Sequence, residues 1–324
     1  MGQDTRFRRI PVLGQDEPGT YIVYVGFLLI FAVFAVLLRD EGFLTASNLF
    51  NIVKETTPVT VMAIGMVFVL SAGEIDLSIG SVVAIAALLA AVVMRTHNWM
   101  LGVAVALGAG VTIGLINGVL VAYARLPSFL VTLATMGLLA GVARWITNLQ
   151  SVPVIDPTFT NLFGSGSLFG IPSLVIWTVL AVSLGHYVYR DTPFGARVLA
   201  TGDNSQAASA AGIKVDRLRL KVLVLGSTCA ALAGLLYLGR IQSARYTLGE
   251  TDLLTVIAAA VVGGTRLDGG TGTVLGALIG SLLMGMLNNG LILMGLAVSE
   301  QMIVRGLIIL VAIVLTLREP RRAP

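Results

Sequence analysis

Charge is scarce in this chain. Asp, Glu, Lys and Arg together make up 12% of its 324 residues, and the mean hydropathy is +0.92. A soluble domain carries roughly a quarter charged residues, so a soluble globular fold is excluded. Cysteine is reduced to Cys229, which rules out an intrachain disulfide and, in its apolar run, packs as a small hydrophobe. Of the two histidines, His97 and His186, neither has a Cys, His or acid at ligand spacing. A metal site and a Ser-His-Asp arrangement therefore have no support. No G-x-x-x-x-G-K-[ST] run occurs, and AAGIKV from Ala210 lacks its geometry. The chain cannot hydrolyse ATP at a P-loop, and no paired catalytic groups argue for an enzyme. Acids are rarest of all between residues 56 and 155, where only Glu74 and Asp76 occur.

What fills the chain is apolar sequence, 56% of it, in continuous runs. A hydrocarbon core about 30 Å thick needs about 20 apolar residues per helix. Runs at 21–38, 58–72, 80–94, 99–123, 127–147, 172–189, 219–239, 253–264, 272–294 and 301–317 predict an all-α polytopic membrane protein with about ten spans. Their continuity excludes a β-barrel, whose strands alternate. The first run follows MGQDTRFRRIPVLGQDEPGT with no persuasive cleavage site and reads as a helix, not a removed signal. The net charge of +4 reports orientation more than an acidic partner, and nothing points to nucleic acid. If the amino terminus is cytoplasmic, fourteen of the 21 Lys and Arg residues fall on the inner side. The positive-inside rule then places both termini in the cytoplasm. The layout becomes a tail over 1–20, a first transmembrane half over 21–189, a cytoplasmic loop over 190–218, a second half over 219–317 and a basic tail over 318–324.

A duplication is visible. GLINGVLVAYARLPSFLV from Gly114 resembles GMLNNGLILMGLAVSEQM from Gly285, aligning Asn117 with Asn288. The offset of 171 residues equals five spans, and an odd number inverts the second half relative to the first. GEIDLSIG from Gly73 also echoes GGTRLDGG from Gly263, in an incompatible register. Residues 58–72 and 253–264 are short for a span and stop at glycine-rich breaks. Gly73 and Gly80 bracket one; Gly263, Gly264 and Gly270 crowd the other. Broken helices persist in a membrane only where protein or a water-filled cavity satisfies the freed backbone, so such breaks point to a pathway.

Glu74 and Asp76 either line that path or cap the next helix, Asp76 or Ser78 serving its free N–H groups. A proton relay lacks a second buried acid or His at helical spacing. Asn117, Asn288 and Asn289 sit mid-span, where interhelical hydrogen bonds or contact with a polar solute are both open; Thr132 and Thr135 are weaker cases. Arg144 and Arg305 lie near span ends and are expected to snorkel.

Between apolar segments lies RDTPFGARVLATGDNSQAASAAGIKVDRLRLK, residues 190–221, with six of the Lys and Arg residues. Within it GDNSQAASAAGI reads as a short helix capped by Asp203, Asn204 or Ser205. Its small residues suit docking against a soluble partner, through Gly202, Asp203, Asn204, Ala207, Ala208, Ala211 and Gly212.

Three motifs together resemble a known family. AGEIDLSIGS is similar to the Gly-x-Ile-Asp-Leu-Ser-x-Gly signature of the ribose/xylose/arabinose-type sugar ABC permeases. TPFGARVLATGDNSQAASAAGI resembles their coupling segment, and IAAAVVGGTRLDGGTGTVLGALIG with NNGLILMG resembles their carboxyl-terminal half. The likeness runs from about Thr45 to Leu317 in order. It implies a type II importer fold like that of the vitamin B12 importer, in a bacterial inner membrane. It implies a second permease copy or homologue, a tandem-domain ABC ATPase that holds ATP and Mg, and a periplasmic sugar-binding protein, with no cofactor on this chain. Two features depart from the family pattern. Glu74 stands where a small residue is common, and Asp252 with Thr255 replaces an acidic pair. The alternative is an ion-gradient-driven transporter, for which Glu74 and Asp76 are the only candidate pair.

Overall fold

The computed structural model describes residues 18–304, 306 and 307, with side chains from Val23 onward. Its helices include α1 (Pro18–Leu37), α2 (Ala46–Ser71), α3 (Ile79–Met94), α4 (Trp99–Ala122), α5 (Ser128–Thr147), α6 (Pro157–Phe163), α7 (Ser173–Arg190), α8 (Pro193–Asp203), α9 (Ser205–Ala210), α10 (Val215–Ile241), α11 (Asp252–Val262) and α12 (Val274–Leu293). Two short antiparallel pairs close loops: β1 (Val152–Pro153) with β4 (Ser243–Ala244), and β2 (Ser167–Leu168) with β3 (Ile171–Pro172). Among the described residues, α2, α4, α5, α10 and α12 are long and apolar enough to cross a membrane; α3 and α11 are shorter apolar helices. The expected run 301–317 and both tails lie largely outside the described residues.

One expectation needs correction. The run 58–72 is not a short span but the second half of α2, which has 26 residues. Asn48, Asn51, Lys54 and Glu55 interrupt the apolar pattern at its start, and the structure pairs two of them. Asn48 exchanges amide hydrogen bonds with Asn289 of α12, and Glu55 pairs with Arg240 of α10 at 2.7 Å. Threonines also keep α2 polar but satisfied. Thr57 bonds Thr178 of α7, and Thr60 bonds Ser281 of α12. By contrast α11, with 11 residues, is as short as its sequence suggested.

The core forms where α10 runs against α2, α3 and α4, with Leu223, Ala230, Ala231, Leu235 and Leu238 fully buried. Membrane helices associate through close backbone approach, which small residues permit. A Cβ on Gly114 of α4 would lie 2.6 Å from Val224 Cα of α10. A Cβ on Gly285 of α12 would run into Thr56 of α2. The two glycines aligned by the 171-residue offset thus each seat their helix on another. Leu115, Ile116, Phe129, Leu133 and Trp145 on α4 and α5 remain exposed, an apolar surface suited to lipid.

Candidate functional site

The break between α2 and α3 is largely buried, with Gly73 exposed, and protein satisfies much of its backbone. Gly73, with φ +77°, ends α2 as Glu74 N–H reaches back to Val69 O. The amide of Ile75 donates to Ser128 Oγ and that of Leu77 to Thr132 Oγ1, both at 3.0 Å from α5. Glu74 is 6% exposed and Asp76 1%, so both acids are buried within the protein. Arg219 of α10 sets its Nε 2.7 Å from Glu74 Oε1, an ion contact too bent for a hydrogen bond. Asp76 Oδ1 accepts from the Ser78 amide at 2.8 Å and its hydroxyl at 2.6 Å. Asp76 therefore caps Ser78 rather than the helix beyond it. Asn117 Nδ2 donates to Ser78 Oγ at 3.1 Å, and Thr135 Oγ1 donates to Asn117 Oδ1 at 2.7 Å. Ser78 just before α3, Asn117 of α4 and Thr135 of α5 thus form one chain ending on Asp76.

The second break lies against the first. Gly264, Gly269 and Gly270 take φ of +93°, +91° and +78°, conformations that favour glycine. The amide of Gly270 donates to Ser71 O, the last residue of α2, at 3.1 Å. Gly202, near the end of α8, presses on that contact; an added Cβ would overlap Ser71 O and come within 2.6 Å of Gly270 N. Tyr189 of α7 bonds Ser71 Oγ at 2.6 Å. The polar loop and the two breaks therefore meet at Ser71, Gly202 and Gly270. Gly263 belongs elsewhere, packed on Gly276 of α12. Asn289 is engaged with Asn48, and Asn288 is half-buried on α12.

In the loop, the single expected helix is two. Gly202 and Asp203 finish α8, and Asn204 opens α9 by accepting from the amides of Gln206 and Ala207 at 3.1 and 3.0 Å. Ala208 is a correction to the docking set: it is 5% exposed and faces inward, while Ala207, Ala210 and Ala211 face out. Gly212, with φ +86°, turns the chain into α10. Beside it a cleft of about 470 Å³ is lined by Arg197, Lys214, Arg217 and Lys221.

Sequence reasoning missed the segment between α10 and α11. Gly249 packs on Gly80, whose added Cβ would lie 2.5 Å from Gly249 O. Glu250 pairs with Arg144 of α5 at 2.6 Å, and the Arg144 guanidinium sits 5.3 Å from the centre of the Tyr246 ring. Arg144 therefore binds a partner within the protein; Arg305 is outside the described residues. Asp252 accepts a 2.6 Å hydrogen bond from Tyr237. The signal was present: Gly249–Leu253 reads GETDL where Gly73–Leu77 reads GEIDL. Among the described residues no three His, Cys, Asp or Glu converge on a metal position.

Comparison with known proteins identifies a family. Residues 48–313 match the family described as branched-chain amino acid transport system / permease component. The chain is 38% identical over 294 residues to the ribose import permease RbsC of Escherichia coli K12, covering 89% of this chain and 91% of that one. It is 36% identical to the L-arabinose ABC transporter permease AraH of Azospirillum brasilense, over 89% of this chain and 84% of the other. It is 30% identical to the xylose transport system permease XylH of E. coli K12, over 92% and 93%. No solved structure matches the chain.

Proposed function

The chain belongs to the family of sugar ABC transporter permeases, and from that premise we propose that it is the membrane subunit of an ATP-driven importer for a monosaccharide or related polyol. Transport runs by alternating access between two inverted halves of about ten spans, arranged as in the vitamin B12 importer. Both termini and residues 190–218 face the cytoplasm. A second permease copy or homologue, a tandem-domain ATPase holding ATP and Mg, and a periplasmic sugar-binding protein complete the machine. Lipid surrounds it.

The observation that carries this reading is the meeting of both helix breaks with the polar loop at Ser71, Gly202 and Gly270. A partner that pushes on α9 moves α8, and α8 bears on the ends of α2 and the second break without an intervening element. The outward residues Ala207, Ala210 and Ala211 leave room for a groove on the ATPase, and the cationic cleft beside them suits carboxylates on its surface. The gradient-driven alternative would rest on Asp76 alone, whose Oδ2 has no hydrogen-bond partner, because Glu74 is held by Arg219; the likeness to ABC permeases favours the ATP-driven reading.

Reconstitution tests the reading. Proteoliposomes containing this chain and the ATPase should take up pentose only with ATP and the binding protein present. Uptake driven by a proton or sodium gradient in the chain alone would overturn it.

A further inference from the structure

GEIDL and GETDL are alike in structure as well as in sequence. Gly73 and Gly249 have φ of +77° and +81°. Each glutamate is held by an arginine from a distant helix: Glu74 by Arg219 at the start of α10, Glu250 by Arg144 near the end of α5. Each aspartate accepts a hydroxyl hydrogen bond, Asp76 from Ser78 and Asp252 from Tyr237. Each segment leads into a short helix, α3 or α11. A repeat that preserves the turn, the ion pair and the following helix has been kept as a unit.

The two units lie at opposite ends of the same helices. The first turn of α5 holds Ile75 and Leu77 through Ser128 and Thr132, and Arg144 follows about 18–24 Å along the helix at 1.5 Å per residue. Arg219 and Tyr237 are about 27 Å apart along α10 by the same rise. Gly80, three residues beyond the first unit, packs directly on Gly249 of the second. We propose that Glu74–Arg219 and Glu250–Arg144 are positioning contacts of two gates, one on each side of the path, that open in turn. This rests on the permease reading. Because α5 and α10 each touch both units, a tilt of either helix that parts one pair presses the other closed.

The pairs differ in a way that fits their sides. Arg144 and Glu250 are 40% and 38% exposed, and such half-exposed pairs contribute little to stability, so docking of a binding protein suffices to part them. Glu74 is 8% exposed in its side chain, and separating it strands a buried charge. That gate adjoins Gly202 and α8, where the ATPase acts.

A reporter cysteine tests the proposal. Ser81, 5% exposed in the first turn of α3, sits beside the Gly80–Gly249 contact between the two pairs. In a Cys229→Ala background, Ser81→Cys in the full transporter is labelled with an impermeant maleimide in right-side-out and inverted vesicles. Glu250→Gln should raise labelling by up to about fivefold from the face opposite the 190–218 loop and leave the other unchanged. Glu74→Gln should do the reverse. The exchange Arg144→Glu with Glu250→Arg should restore the low rate, which separates a lost ion pair from a misfolded chain. Labelling that rises from the same face in both variants, or in neither, overturns the gates. The measurement needs no sugar or ATP, so unchanged labelling beside normal ATP-driven uptake sinks the gates alone.

Discussion

Replacing Gly202 by alanine puts a methyl where Ser71 O and Gly270 N already meet. Both neighbours are backbone, so neither can swing aside as a side-chain end would. Overpacking of this kind costs about 1–3 kcal/mol. Parting Ser71 from Gly270 to make room instead breaks their 3.1 Å hydrogen bond, at about 0.5–1.5 kcal/mol. The better helix propensity of alanine returns up to about 1 kcal/mol. The balance is a loss of up to about 3 kcal/mol, felt at the contact between loop and breaks. Two alanines serve as controls. Gly141 in α5 has no atom within 4 Å of an added Cβ, so Gly141→Ala should be neutral or stabilising. Gly212 also faces open space but has φ +86°, so Gly212→Ala bears only backbone strain. Melting of the purified transporter, followed through its three tryptophans, should rank Gly141→Ala at or above wild type, then Gly212→Ala, then Gly202→Ala. Gly202→Ala should also lower the sugar moved per ATP hydrolysed. A Gly202→Ala protein that melts with Gly141→Ala and transports with normal coupling would refute the reasoning.

Asn117→Ala should destabilise the chain by about 1–3 kcal/mol, since it leaves the buried Asn117 contacts of Ser78 and Thr135 unmade; a melting temperature equal to wild type contradicts that. Ala207→Trp and Ala210→Trp should leave melting unchanged and abolish co-purification of the ATPase, whereas Ala208→Trp should lower melting because Ala208 is buried; equal behaviour of all three removes the docking face. Ser209→Cys, exposed on α9, should react with an impermeant reagent in inverted vesicles and not in intact cells. Binding of the ATPase should weaken as salt rises from about 0.1 M to 1 M, where screening shortens from about 10 Å to 3 Å. Lys214→Gln with Arg217→Gln should flatten that dependence; an unchanged slope assigns the cleft no part in docking.

The helices were legible wherever apolar runs were unbroken, as in α4, α5, α10 and α12. The start of α2 was not, because Asn48 and Glu55 look like loop residues until Asn289 and Arg240 are seen opposite them. The cap of α9 could be read from Asn204, since a short side chain before small residues satisfies free amides wherever it occurs. The inward turn of Ala208 could not, because it depends on how α9 rests on its neighbours. Asn117 and Asp76 were singled out for polarity at membrane depth, but their link through Ser78 joins residues 41 apart in sequence. GETDL went unread because the repeat was anchored on Gly114 and Gly285; the two acidic motifs are offset by 176 residues rather than 171.

The Glu74–Arg219 contact also sets a schedule for synthesis. Glu74 enters the membrane with α2 and α3, but its arginine arrives only with α10, 145 residues later. At about 5–20 residues per second, the nascent chain spends roughly 7–30 s with that carboxylate partnerless. Gly114 likewise waits for the helix that fills the space beside it. A stalled ribosome or a nonsense codon before α10 therefore leaves behind an apolar product with a buried acid and an empty groove.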